Sequence, residues 1–342
     1  MDNPFNYLVL RGERLMTIQT KKIEIKNHGE PSVMEWVDTV VEAPAAHEVQ
    51  IEQKAIGLNF IDIYFRTGLY DNPLPHGLGF EASGVVTAVG SEVEHLKVGD
   101  RVAYGQSPLG AYALVRNVPG FQVVKLPDEI SFEEGAAIML KGLTAWYLLR
   151  QTYRVQAGET ILLHAAAGGV GLIATQWAKA LGVKVIGTAS SVEKIALAKE
   201  HGAWEMINYK EEDVVARVIE LTNGEKLPVV YDGVGKDTFE ISLDCLRPRG
   251  LLVSYGNASG AVTGVNLGIL ATKGSLYVTR PSVGAYVPTR ETMQEAADEL
   301  FEQVVSGNIK IRIDQKVPLL DVAKAHADLA AGRTTGSTIL TL

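Results

Sequence analysis

The run HAAAGGVG, residues 164–171, sets Ala166, Gly168 and Gly171 in the spacing A-x-G-x-x-G. It ends a stretch that reads as a buried strand, TILLHAAA (160–167). It opens one that reads as an amphipathic helix, GGVGLIATQWAKALG (168–182), with Val170, Ile173, Ala174, Trp177 and Leu181 on one face and Gly182 as its stop. Between a strand and a helix, these glycines suit phosphate binding. Gly168 lets the chain turn tightly, and Gly169 and Val170 carry unpaired N–H groups at a helix N-terminus, where they can hold a pyrophosphate. Gly171 lets the helix lie close to the strand. The bland reading is a tight strand-to-helix turn with no ligand; the βαβ pattern that follows weighs against it.

The next strand, VKVIGTAS (183–190), bears on which dinucleotide is bound. An acidic residue at its end would bind the ribose hydroxyls. The chain instead reads Gly187-Thr188-Ala189-Ser190-Ser191, with Lys194 one turn later and Tyr209 at the end of the following strand. A missing carboxylate beside a cation favours a 2′-phosphate, and so NADPH, with Ser190, Lys194 and Tyr209 around it. Lys194 alone would be weak evidence, since most surface lysines are only solvated.

Two kinds of architecture position these residues. Up to about residue 142 the chain shows short alternating segments broken by Gly and Pro: 48–59, 81–90, 98–105 and 110–117. Such spacing predicts a small twisted β-barrel or sandwich. From there strands and helices alternate. After 183–190 come a helix over 192–203, a strand over 205–209, a helix over about 211–222, and strands over 227–235, 249–257 and 274–280. That order predicts βαβ units and a doubly wound parallel sheet, an α/β fold. A longer helix, 289–307, follows. The closing TILTL reads as a strand with no place in the parallel sheet, so it returns to the first domain. The expected division is 1–142 for the β-rich domain, 143–282 for the dinucleotide domain and 283–342 for the return. Residues 1–15 read as a peripheral N-terminal extension, because a start at Met16 leaves a complete domain.

Composition narrows the function classes. The 342 residues, 46% of them hydrophobic, are enough for two cores. A net charge of -8 argues against a nucleic-acid surface. No segment approaches the roughly 18 apolar residues that cross a bilayer, and the N-terminus lacks a signal pattern. One cysteine, Cys245, allows no intramolecular disulfide and no Cys-rich zinc lobe; a cytoplasmic location is expected.

Longer stretches then resemble a known family. GLNFIDIYFRTGLY (57–70), GLGFEASGVV (77–86) and KVGDRVAYG (97–105) are similar to the medium-chain dehydrogenase/reductase superfamily, as is the domain order. KGLTAWYLL (141–149), HAAAGGVGLIATQWAKALG (164–182), YGNASGAVTGVNLGIL (255–270) and KGSLYVTRPS (273–282) resemble its bacterial quinone oxidoreductases, related to zeta-crystallin. The resemblance runs from Met16 onward. It implies a GroES-like β-rich catalytic domain, a Rossmann domain inserted before its last segment, and NADPH in a cleft between them.

It also bears on metal. Zinc-dependent members carry a Cys near the position of Asn59, a His near Phe80 and a four-Cys loop after the Gly-Asp-Arg turn. Here the first two positions are an amide and a phenyl ring, and the loop is missing; neither residue makes a zinc site. None of the seven histidines shows close metal-ligand spacing, and Glu81 reads as a structural hydrogen-bonding group. No metal is expected. By resemblance Asn59 and Tyr64 face the nicotinamide end, Asn59 orienting cofactor or substrate and Tyr64 donating a hydrogen bond to the substrate oxygen. A wall residue is the plain alternative for Tyr64. Lys141, Thr144, Tyr255 and Asn257 carry over as cofactor contacts, and Arg333 as a contact to the adenosine phosphate. The implied substrate is a quinone or another conjugated carbonyl, and the implied assembly a homodimer through the last Rossmann strand. Two rival functions remain: an NADPH-dependent enone or enoyl reductase, and an NADPH-regulated RNA-binding or crystallin-like role. No interleaved basic and aromatic groove supports the second.

Overall fold

The computed structural model describes residues 17–342; the expected extension over 1–15 lies outside the described residues. In chain order the first strands are β1 (Ile18–Ile25), β2 (Met34–Val41), β3 (Glu48–Leu58), β4 (His76–Gly77), β5 (Glu81–Val89), β6 (Arg101–Tyr104), β7 (Val115–Pro119) and β8 (Val124–Lys125). Helix α1 (Phe60–Thr67) lies between β3 and β4. Helix α2 (Phe132–Trp146) runs into a π-helical turn, Tyr147–Thr152. Then come β9 (Thr160–Leu163), α3 (Gly169–Ala180), β10 (Lys184–Ala189), α4 (Val192–Glu200), β11 (Glu205–Asn208) and α5 (Val214–Leu221). They are followed by β12 (Leu227–Asp232), α6 (Phe239–Asp244), β13 (Leu246–Ser254), α7 (Gly268–Thr272) and β14 (Tyr277–Thr279). The chain closes with α8 (Val283–Tyr286), α9 (Arg290–Val305), β15 (Ile313–Pro318), α10 (Val322–Ala330) and β16 (Ser337–Thr341).

The chain divides into two compact units. One comprises the residues to Leu140 with Val287–Phe301 and Ile313–Leu342, the other Lys141–Tyr286 with Glu302–Arg312. In the first, a three-stranded sheet runs β2-β1-β4, and a seven-stranded sheet runs β15-β16-β3-β5-β6-β8, with β7 also paired to β3. The final strand, β16, pairs antiparallel with β3, Thr338 opposite Leu58. Alternation puts Ile51, Val86, Val102, Tyr104 and Leu340 into one buried cluster under these strands.

The second unit is a six-stranded sheet ordered β11-β10-β9-β12-β13-β14, every neighbouring pair parallel. That is the Rossmann order, with its switch point between β9 and β12. Leu162, Ile186, Ile207, Val230 and Leu252, one from each of five strands, meet in one buried cluster. Helix α3 is buried from Gly171 to Ala178, more than the single face its spacing predicts. The extra cover has a cause: Gln176 exchanges side-chain bonds with the backbone of Lys310, at 3.2 and 3.0 Å, which ties the segment after α9 to this unit. β9 is also shorter than 160–167. It stops at Leu163, because Ala165 takes a left-handed backbone, φ 54°.

Candidate active-site residues and the dinucleotide loop

From His164 the chain turns through Gly168 into α3. The Ala165 carbonyl accepts the Gly168 N–H at 3.0 Å, and Gly168 is the extended N-cap, φ -80° and ψ 175°. The N–H groups of Gly169, Val170 and Gly171 belong to the first turn and have no carbonyl partner within the helix. They point out of an N-terminus whose dipole is positive. A Cβ on Gly171 would lie 2.5 Å from the Ala165 carbonyl oxygen and 2.6 Å from that of Ala166, both backbone atoms. Only glycine lets the helix close on this loop. Backbone donors without an acidic side chain among them fit the pyrophosphate of a dinucleotide.

At the neighbouring strand ends, Ser191 caps α4 by accepting the Lys194 N–H at 3.4 Å, and the Tyr209 N–H donates to the Ala189 carbonyl at 3.2 Å. Ser190 and Lys194 are half-buried and Tyr209 is 53% exposed. These three therefore collect where β10 and β11 end, and β10 itself ends in no acid, which fits a 2′-phosphate. Half-buried Tyr255 and Asn257 follow β13, with the Tyr255 N–H bonded to the Asp232 carbonyl at 2.8 Å. Ala166, Gly168, Gly169, Val170, Gly171, Ser190, Lys194, Tyr209, Tyr255 and Asn257 thus all lie at the carboxyl ends of this unit's strands. Lys141 and Thr144 lie one turn apart on α2, both buried. Arg333 belongs to the first unit. Its guanidinium grips Asp328 at 2.7 and 2.9 Å, an ion pair the sequence reading does not include.

The first unit holds Asn59 and Tyr64 on α1. Asn59 is the N-cap, and its own N–H donates to the Asp62 carboxylate three residues on, at 2.9 Å. Its side-chain amide donates to Glu81 at 2.7 Å, and the other Glu81 oxygen accepts the Leu140 N–H at 2.8 Å. Glu81 is fully buried and orients Asn59. With an amide and Phe80 beside a carboxylate so engaged, this donor set does not fit zinc. Among the described residues no group of three or more His, Cys, Asp and Glu could hold a metal ion. Tyr64 is 7% exposed and packs edge-on to Tyr70, ring centres 5.2 Å apart, with Phe60 at 6.2 Å.

Behind α1 runs a buried polar relay that no local pattern announces. Arg66 donates to His326 Nδ1 at 3.3 Å, His326 Nε2 meets the Tyr112 hydroxyl at 3.0 Å, and that hydroxyl donates to Asp62 at 2.8 Å. Burial, and then the Arg66 charge, push the His326 pKa down to about 3, so the ring is neutral. Burial and Asp62 hold the Tyr112 phenol well above its ordinary range. Only the Asn59-x-x-Asp62 spacing of a capping box could have signalled part of it.

A family model described as alcohol dehydrogenase GroES-like domain matches residues 45–128, and one described as zinc-binding dehydrogenase matches 169–302. The chain is 61% identical over 321 residues to a quinone oxidoreductase of Pseudomonas aeruginosa, covering 94% of this chain and 99% of that one. It is 40% identical to a 2-haloacrylate reductase of a Burkholderia species, covering 92% and 97%. The crystal structure of Escherichia coli quinone oxidoreductase complexed with NADPH superimposes with a TM-score of 0.93 at 56% identity, covering 94% of this chain and all of the other.

Proposed function

Because the chain belongs to the quinone oxidoreductases of the medium-chain dehydrogenase/reductase superfamily, the branch related to zeta-crystallin, we propose that it reduces quinones with NADPH. The observation that carries this reading is the β9–α3 glycine loop beside a second strand with no terminal acid, in a chain that matches a quinone oxidoreductase almost end to end. When bound, NADPH supplies a hydride from its nicotinamide ring. The α3 N–H groups hold the pyrophosphate. Ser190, Lys194 and Tyr209 hold the 2′-phosphate, and Arg333 adds charge to the adenosine end. Lys141, Thr144, Tyr255 and Asn257 contact the rest of the cofactor. Asn59, fixed by Glu81, orients cofactor or substrate, and the Tyr64 hydroxyl donates to the substrate oxygen as it gains charge. A reduced quinone spreads its negative charge over a conjugated ring. Hydrogen-bond donation then suffices, with water supplying protons.

A second reading is reduction of a conjugated C=C bond, favoured by the 40% identity to a 2-haloacrylate reductase. A homodimer through β14 and a cytoplasmic location complete the proposal. The first is supported by the exposed apolar edge of that strand, the second by a lone, buried and unpaired Cys245.

NADPH oxidation with 1,4-benzoquinone, 9,10-phenanthrenequinone and a 2-alkenal, with NADH as control, tests the function. Quinone turnover that prefers NADPH is expected, and Tyr64→Phe should lower kcat/KM about tenfold. Turnover of the alkenal alone selects the second reading. Tighter binding of NADH than NADPH contradicts the cofactor assignment, and an unchanged kcat/KM removes the role of Tyr64.

A further inference from the structure

His164 is the first residue after β9, 2% exposed, beneath the phosphate loop. Both of its ring nitrogens are engaged, Nδ1 with the Thr188 hydroxyl at 3.1 Å and Nε2 with the Ser242 hydroxyl at 3.1 Å. The direction of each bond follows from the ends of the chain of contacts. Ser242 donates to Asp232 Oδ2 at 2.8 Å, so its oxygen must accept from His164 Nε2–H. Nδ1 is then the bare nitrogen and accepts from Thr188, whose oxygen accepts the Ala165 N–H at 3.3 Å. Asp232 in turn accepts the N–H groups of Val234 and Gly235, at 2.8 and 3.0 Å, and the Thr238 hydroxyl at 2.8 Å. Burial lowers the His164 pKa, which keeps the ring neutral in this tautomer.

The far end of this relay is a second loop. The Asp232 carbonyl takes the Tyr255 N–H at 2.8 Å, and the Val234 carbonyl takes the Ser259 N–H at 2.8 Å. Gly256 lies so close that a Cβ there would stand 2.3 Å from the Gly233 carbonyl oxygen. One buried chain of hydrogen bonds therefore runs from Ala165, in the phosphate loop, to the loop that carries Tyr255 and Asn257. It crosses between β9 and β12, where the strand order reverses and dinucleotides bind.

We propose that His164 is a positioning residue for the dinucleotide: it fixes the phosphate loop after β9 against the loops after β12 and β13, so that the pyrophosphate and the nicotinamide half are held in one register. The proposal rests on the NADPH reading given above. An apolar residue could fill the same space at less cost in buried polar groups, but it would leave the two loops without a link.

The test is calorimetric titration of the intact chain with NADPH and with adenosine 2′-monophosphate, which occupies only the adenosine end. His164→Phe keeps the bulk and loses both bonds. Ser242→Ala cuts the relay on α6, on the side of His164 away from the phosphate loop. Each should weaken NADPH about tenfold and leave adenosine 2′-monophosphate unchanged, and the double variant should be no weaker than His164→Phe alone. NADPH binding by Ser242→Ala equal to that of the wild type overturns the proposal, as does equal weakening of both ligands. A wild-type chain that binds neither ligand overturns the functional reading and this inference together. Variants that bind like a competent wild type overturn this inference alone.

Discussion

Gly171 and Gly168 stand three residues apart in one loop, yet a methyl group would meet different neighbours at each. At 171 it would press on the Ala165 and Ala166 carbonyls at 2.5 and 2.6 Å; at 168 the nearest atom is 3.3 Å away and the backbone is one that alanine readily adopts. Gly171→Ala should therefore cost about 1–3 kcal/mol of stability by overpacking. Gly168→Ala should cost less stability, with a single neighbour at 3.3 Å, and should weaken NADPH binding by crowding the loop whose N–H groups take the pyrophosphate. Denaturant unfolding alongside NADPH titration separates the two, and equal stability losses would contradict the contrast. The same logic explains Glu81. Its two oxygens are engaged by the Asn59 amide and the Leu140 N–H, so this buried carboxylate sets the angle of an amide.

Helix α1 is only Phe60–Thr67, too short to hold itself in water, and its anchorage comes from outside. Asp62 caps it, Tyr112 from a loop of the β-rich unit braces Asp62, and His326 from α10 holds both Tyr112 and the helix's own Arg66. His326 is neutral when folded, with a pKa near 3, but in the unfolded chain it takes up a proton near 6.5. The unfolded state thus binds more protons below that value, and stability is lost as pH falls from about 6.5 towards 3. The full contribution is present only above 6.5. Between about pH 6 and 5 the wild type should lose up to ~1.4 kcal/mol more than His326→Gln, which cannot titrate; equal slopes in pH-dependent denaturation would exclude a neutral His326. Beyond the capping-box spacing of Asn59 and Asp62 the relay was not legible in the sequence, because Tyr112 and His326 reach α1 only through the tertiary fold. The elements read more easily where one face alternates. The six parallel strands follow from apolar runs set between helices, and α4 from its Ser191 cap. Helix α2 carries no amphipathic period in the sequence, because residues 135–149 are buried on every side. Its Ser131–Glu134 capping box is the local signal that marks it.

At the scale of the whole molecule the closing TILTL reads as a strand with no place in the dinucleotide domain's parallel sheet, and β16 lies antiparallel beside β3 and, across α10, parallel beside β15. The outer edge of the Rossmann sheet is the counterpart problem. Among the described residues β14 is paired only through β13, and Tyr277 and Val278 on it are 61% and 39% exposed. An apolar edge of this kind invites a further strand, and the closed solution is its own twin across a two-fold axis, which leaves no open edge and so no filament. In such an antiparallel pair the residues near the axis face their own copies. Val278 is the middle residue of β14, so Val278→Lys would set two like charges nearly opposite each other across the seam. Light scattering at micromolar concentration should report a dimer for the wild type and a monomer for Val278→Lys, with NADPH affinity unchanged because the glycine loop lies at the end of β9, away from this edge. A monomeric wild type would refute the dimer. A Val278→Lys variant that stays dimeric would move the interface to another surface.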